Sequence, residues 1–312
     1  MTMIPTIEFS KEADIKASSA SWDLVRDQVR CALEEYGCFL VVYPQVSRLL
    51  CRKIFSQSKD LFELPTETKK KNISEEPYRG YIGPSPLMPL YEGIAIDNAT
   101  SFEETQKFMN LMWPQGKEGF CEVVNSYAKL LAELEEMVLQ MLFESYGATK
   151  HYDSIVASNS HLLRFLKYRK PEDKETETRF ASHTDKDFVT IVFQDHVGGL
   201  EVQTKDGHWI SIDPAPSTFL FMASYGLQLW SNDRIKACYR RVKNCGNEER
   251  YSLGLFTFNN GVIEVPEEFV DEGHPLLYNP CDSRGFLRYY LTDQAKKVDC
   301  PLKAYCGTDL SK

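Results

Sequence analysis

Apolar residues recur at helical spacing through SWDLVRDQVRCALEEYG (residues 21–37), where Trp22, Val25, Val29, Leu33 and Tyr36 share one face. The pattern predicts a helix capped by Ser21 and stopped by Gly37. CFLVVYPQV then reads as a short buried strand ended by Pro44. Residues 48–63 return to helical periodicity through Leu49, Ile54, Leu61 and Phe62. From Glu75 to Met112, punctuation by Pro77, Gly80, Gly83, Pro84, Pro86 and Pro89 predicts irregular chain. Its aromatic and methionine side chains suit either simple packing or one wall of a binding cavity. The strongest helical signal is NSYAKLLAELEEMVLQMLFESYG (125–147): Leu130, Leu134, Val138, Met141 and Phe143 lie near one stripe, with Glu133, Glu135 and Glu136 off it. This helix reads as a brace with no chemistry of its own.

From about Ser160 to Phe258 the period shortens. HLLRFLKY, FVTIVFQD, GLEVQTKDGHWISI, STFLFMA, KACYRRV and RYSLGLFTF read as strands. Asp206-Gly207 between two alternating runs marks a hairpin. So many short strands in series predict a sandwich, barrel or jelly roll.

Composition narrows the function classes. With 43% hydrophobic and 26% charged residues over 312 positions, the chain has an ordinary globular make-up. A formal charge of -9 argues against a nucleic-acid or anionic-membrane surface, and the run KKKN (Lys69–Asn72) reads as a solvated loop. No apolar run is long enough to span a bilayer. Nine scattered cysteines without a Cys-x-x-Cys pair suggest reduced thiols, and hence a cytoplasmic protein.

Two short motifs carry candidate chemistry. In an extended segment residues i and i+2 point to the same side. His183 and Asp185 in ASHTD can therefore converge, as can Arg250 and Ser252 in ERYS. A histidine with a carboxylate makes two arms of a facial iron triad; an arginine with a hydroxyl suits a carboxylate ligand. Each motif is weak alone. What strengthens them is their shared place in one strand-rich block.

The stretches YGCFLVV, LFELPTETK, MNLMWPQG, SHTDKDFVTIVFQDHVGGLEVQTKDGHWISIDPAP, WSNDRIKACYRRV, GNEERYSLGLF and FVDEGHPLLYNP resemble the plant 2-oxoglutarate and Fe(II)-dependent dioxygenases. Within them, the chain is most similar to the branch that includes the glucosinolate side-chain oxygenases. The resemblance implies a mainly β fold, a double-stranded β-helix (jelly-roll, cupin-like) core with flanking α-helices. It implies a helix-rich region over 1–155, the core over 156–265 and a C-terminal cover over 266–312, forming one compact unit. By position, His183 and Asp185 match the family's first two iron ligands. Arg250 and Ser252 match the pair that holds the distal carboxylate of 2-oxoglutarate, so Fe(II) and 2-oxoglutarate are the implied cofactors, and the resemblance implies a small-molecule substrate.

The chain departs from the family pattern at residue 240. Where a third iron-ligand histidine is expected after WSN stands Arg240, and none of the six histidines (151, 161, 183, 196, 208, 274) is a simple register shift away. A guanidinium stays protonated and offers no lone pair to a metal. A positive charge about 4 Å from a divalent ion adds roughly 8 kcal/mol of unrelaxed repulsion at an effective dielectric near 20. Ser224-Tyr225 likewise replaces the family's usual Gly-Asp, which sets a bulky phenol near the core. Charge complementarity predicts that Arg240 pairs with Asp185, leaving His183 as a base in a pocket where iron-dependent oxidation is impaired and proton transfer, isomerisation or cyclisation is open. The alternatives are an oxygenase that retains iron on His183 and Asp185, or a non-catalytic binding protein.

Overall fold

The computed structural model describes residues 3–9, 19–172, 178–243 and 246–309. Strand β1 (Thr6–Glu8) precedes helix α1 (Ala20–Tyr36), β2 (Cys38–Val42), α2 (Arg48–Glu63) and the short α3 (Thr66–Lys69). The α1 cap is Ser19, not Ser21: the Ser19 hydroxyl accepts from the Trp22 amide at 3.1 Å, and Ser21 lies inside the first turn. Gly37 ends the helix at φ +67 as expected. An added Cβ there would meet the Lys236 carbonyl oxygen at 2.4 Å, so both conformation and close approach require glycine. Leu49 is not on the buried stripe of α2; it is 53% exposed in the first turn. Lys69 corrects the solvated-loop reading of KKKN: it is buried, with Nζ 2.6 Å from Glu92 and donating to the Phe62 carbonyl.

The irregular chain predicted for 75–112 stops at residue 90. β3 (Tyr91–Asp97) pairs along its whole length with β4, and α4 (Phe102–Met112) is capped by Ser101. The proline punctuation of this stretch ends at Pro89, and strand pairing holds β3 extended through Gly93. Helix α5 begins earlier than predicted, at Phe120, and runs to Ser145; α6 (Tyr152–Ala157) leads into β4 (Asn159–Tyr168). The core continues with β5 (Thr178–Thr184), β6 (Val189–Gln194), β7 (Leu200–Gln203), β8 (Trp209–Ser211), β9 (Thr218–Ala223), α7 (Tyr225–Trp230), β10 (Tyr239–Lys243) and β11 (Arg250–Asn259). After β11 come β12 (Val262–Ile263), β13 (Cys281–Asp282), α8 (Ser283–Tyr290) and α9 (Pro301–Cys306).

Among the described residues the strands form a seven-stranded sheet, β1-β2-β9-β6-β11-β4-β3, and a four-stranded sheet, β5-β10-β7-β8. β7 and β8 are the hairpin predicted at Asp206-Gly207, with Gly207 at positive φ. Leu166, Val192, Leu220 and Met222 of the large sheet cluster with Leu200, Val202 and Val242 of the small one, so the two sheets close on a shared interior. The other face of the large sheet, through Ile191, Phe193, Leu253 and Leu255, packs on Trp22, Val25 and Val29 of α1 and Leu134, Val138 and Met141 of α5. Each such buried side chain contributes about 1.5–3 kcal/mol relative to exposure. This is a jelly-roll core with flanking helices.

α5 is more than a brace. Glu135 does not lie on a solvated face; it is buried, and its Oε2 accepts from Thr257 Oγ1 on β11 and sits 2.9 Å from His161 Nε2 on β4. Burial lowers the His161 pKa, but the Glu135 carboxylate outweighs it and raises the imidazole above its ordinary value.

Candidate functional site

β5 and β10 pair so that Arg240 stands in register with His183, one residue before the small sheet gives way to the turn carrying Asp185. Opposed residues of an antiparallel pair project to the same side. The side chains of His183, Asp185 and Arg240 accordingly meet at one end of the interior. Arg240 Nε donates to Asp185 Oδ2 at 2.9 Å and Nη2 to Oδ1 at 2.8 Å, a parallel fork between side chains only 8% and 10% exposed. Thr190 Oγ1 donates to Asp185 Oδ2 as well, at 3.1 Å.

The electrostatics follow from this geometry. Burial would raise the Asp185 carboxyl, but Arg240, then His183, outweigh it and hold it well below the usual carboxylate range. Burial lowers the His183 pKa, and Arg240 lowers it further. His183 Nδ1 lies 2.8 Å from the Ala181 carbonyl oxygen, which can only accept. In the neutral ring Nδ1 therefore carries the proton and Nε2, 3.5 Å from Asp185 Oδ1, carries the lone pair.

Asp187 belongs to the same cluster and was not singled out in the sequence, although 183, 185 and 187 share the i, i+2 spacing. It is buried, accepts from Thr190 Oγ1 at 3.0 Å and from the Thr257 amide at 3.1 Å, and is raised well above a normal carboxyl by burial and by Asp185. Tyr225 is the first residue of α7 and not a loop residue; its amide donates to the Asp185 carbonyl at 3.2 Å and its ring meets Phe286 edge-on.

Arg250 and Ser252 are buried on β11 and are not among the residues lining the cavity shared by His183, Asp185 and Arg240. Arg250 Nη1 donates to Ser252 Oγ at 2.9 Å, Nη2 to Gln194 Oε1 at 2.8 Å and Nε to the Gly198 carbonyl at 3.1 Å. These three acceptors are neutral. Gln194 is the register partner of Ser252 on β6, a relation invisible before the strands are paired.

A cavity of about 310 Å³ opens on this constellation. His183, Asp185, Asp187 and Arg240 lie at one end; Tyr78, Ile82, Met88, Leu162, Phe256, Phe258 and Arg164 make most of the remaining wall. The chain around residues 78–88 does form one side of it. Lys186 lies at the rim with Nζ 4.3 Å from the centre of the Tyr290 ring, and burial pushes its ammonium down to about 8.

The donors present do not fit a three-ligand iron centre. Asp185 has both oxygens engaged by Arg240, and among the described residues no group of three or more His, Cys, Asp or Glu side chains is arranged to hold a metal. The other histidines, 151, 161, 196, 208 and 274, do not line the cavity, and His161 is held at 2.9 Å from the buried Glu135.

Fold and cavity together define an enzyme class, and comparison names it. The chain belongs to the 2OG-Fe(II) oxygenase superfamily, whose profile matches residues 153–259; a second profile, the non-haem dioxygenase in morphine synthesis N-terminal, matches residues 4–88. It is 36% identical over 312 residues to the probable 2-oxoglutarate-dependent dioxygenase AOP1.2 of Arabidopsis thaliana, covering 97% of this chain and 96% of the relative. A probable inactive 2-oxoglutarate-dependent dioxygenase AOP2 of the same plant is 28% identical, with 97% of both chains covered. Among solved structures, Arabidopsis dioxygenase for auxin oxidation 1 in a 2-oxoglutarate complex superimposes with TM-score 0.79 at 29% identity, covering 88% of this chain and all of that one. The rice dioxygenase for auxin oxidation gives 0.82 at 25%, covering 97% and 100%. No helix among the described residues is long and apolar enough to cross a membrane.

Proposed function

We propose that this chain is a small-molecule enzyme of the dioxygenase family in which Arg240 has disabled iron-dependent oxidation and the inherited pocket works non-oxidatively. The observation that carries the reading is the buried fork of Arg240 on both oxygens of Asp185. A carboxylate so held has no oxygen left for a metal without breaking two charge-assisted hydrogen bonds. Position 240, where the family pattern has its last histidine, contributes a fixed positive charge instead of a lone pair.

In this reading His183 is the base. Its neutral ring, with the proton on Nδ1 and the lone pair on Nε2, opens on the cavity and can take a proton from a bound substrate, the step common to isomerisation and cyclisation. Burial, and then the Arg240 charge, keep the imidazole pKa low against the opposing pull of the Asp185 carboxylate. Arg250 and Ser252 have the chemistry to hold a carboxylate, as the bound 2-oxoglutarate of the related auxin oxidation enzyme would require. Their role here is binding. A relative designated a probable inactive 2-oxoglutarate-dependent dioxygenase supports this reading.

Succinate release from 2-oxoglutarate under air, with added Fe(II), tests the reading. The unmodified protein is expected to release none above a protein-free control, and Arg240→His to gain it. Sustained succinate release by the unmodified protein would overturn the proposal.

A further inference from the structure

Arg164 projects from the middle of β4 into the cavity, flanked in register by Ala95 on β3 and Gly254 on β11. Those two small residues leave the long side chain room to extend. It is 5% exposed, yet only one edge of its guanidinium is used: Nη2 donates to the Tyr78 carbonyl, while Nη1 is buried without a hydrogen-bond partner. None of its nitrogens is paired with a carboxylate among the described residues. The wall around it is apolar, through Leu162, Phe256 and Phe258. Beside Nη1 lies Gly93, where an added Cβ would collide with the Tyr91 hydroxyl and meet Nη1 at 3.2 Å, so only glycine fits where Tyr91 and Arg164 pack against this strand. Tyr78, whose carbonyl holds the other edge, has φ +61, a conformation held by its surroundings.

A guanidinium remains charged wherever it is buried, and a buried charge without a counter-ion is unfavourable. Arg240 meets this condition through Asp185, and Arg164 does not. We propose that Arg164 is the anchor for a carboxylate on the substrate, with the apolar wall taking an aromatic or aliphatic body and the carboxylate pairing with the unpartnered Nη1. The pocket would thus select small organic acids, and this inference rests on the small-molecule reading above. It places the carboxylate at Arg164 and the bond to be deprotonated towards His183, which lines the same cavity.

The test uses phenylacetate and its neutral isostere phenylacetamide as probes, titrated calorimetrically into the full chain in metal-free buffer with chelator. Because no metal or turnover enters the readout, its outcome is separate from that of the iron experiments. The unmodified protein is expected to bind the carboxylate at least about tenfold more tightly than the amide. Arg164→Gln, which can still donate to the Tyr78 carbonyl, is expected to remove that preference while leaving amide binding within about twofold, and Arg164→Lys to retain part of it. Equal binding of the two probes, or binding of neither at 10 mM, roughly the weakest affinity such a pocket would show, would overturn the proposal. So would a preference that survives Arg164→Gln, or one that vanishes in Lys186→Met and not in Arg164→Gln.

Discussion

The guanidinium of Arg240 spans both carboxylate oxygens of Asp185 at 2.8 and 2.9 Å, on a strand whose register sets residue 240 directly beside His183. The pair neutralises itself inside the protein, and its two members lie at sequence positions 55 residues apart. The Arg240 charge adds to burial in lowering the pKa of the neighbouring imidazole, and the fork occupies both oxygens of Asp185.

Breaking this pair from one side should be costly. Arg240→Met leaves Asp185 buried without its counter-charge, and a loss of about 3–5 kcal/mol in unfolding free energy is expected. The double substitution Asp185→Leu with Arg240→Met removes both charges and should recover most of that loss. Urea unfolding of the four proteins in the cycle measures it; a double variant no more stable than the single would contradict the account.

The Glu135–His161 pair predicts a pH dependence far from the cavity. Because the folded-state pKa of His161 is raised above its ordinary 6.5, its contribution to stability is fully present below 6.5 and is lost as pH rises through the raised value. The stability difference between the unmodified protein and His161→Gln should therefore shrink as pH increases from 6 to about 9. A difference that grows over that window would reverse the assignment.

Gly37 offers a backbone test. Gly37→Ala meets a left-handed φ and the Lys236 carbonyl together. A loss of more than about 1 kcal/mol is expected, exceeding the usual helix-end penalty because backbone atoms cannot yield cheaply. Thermal unfolding would show it as a lower Tm, and an unchanged Tm would mean that the α1–β2 junction relaxes freely.

The strand block was legible because alternation, Asp206-Gly207 and the short run lengths are local signals, and the resemblance supplied the jelly roll. β3 and α4 were missed because the glycines and prolines before residue 90 dominate the reading of the whole stretch; full pairing of β3 with β4 overrides them. Ser21 reads as the cap because it precedes the first apolar residue of the stripe, Trp22, but the helix starts at Ala20 and Ser19 takes the capping place. At the site, His183, Asp185, Arg250 and Ser252 could be named from i, i+2 spacing and resemblance. Asp187 had the same spacing and was passed over. Arg164, Gln194, Lys69 and Glu135 depend on register and burial, which place a charged residue of ordinary appearance inside the protein. Nothing local in HLLRFLKY distinguishes Arg164 from a surface arginine.

The most direct test of the central claim is an anaerobic calorimetric titration of metal-stripped protein with Fe(II) in the presence of 2-oxoglutarate, beside Arg240→His. The account predicts no binding by the unmodified chain and near-stoichiometric binding by the variant. Tight, near-stoichiometric binding by the unmodified chain would contradict it, because Asp185 would then have to leave Arg240 for the metal.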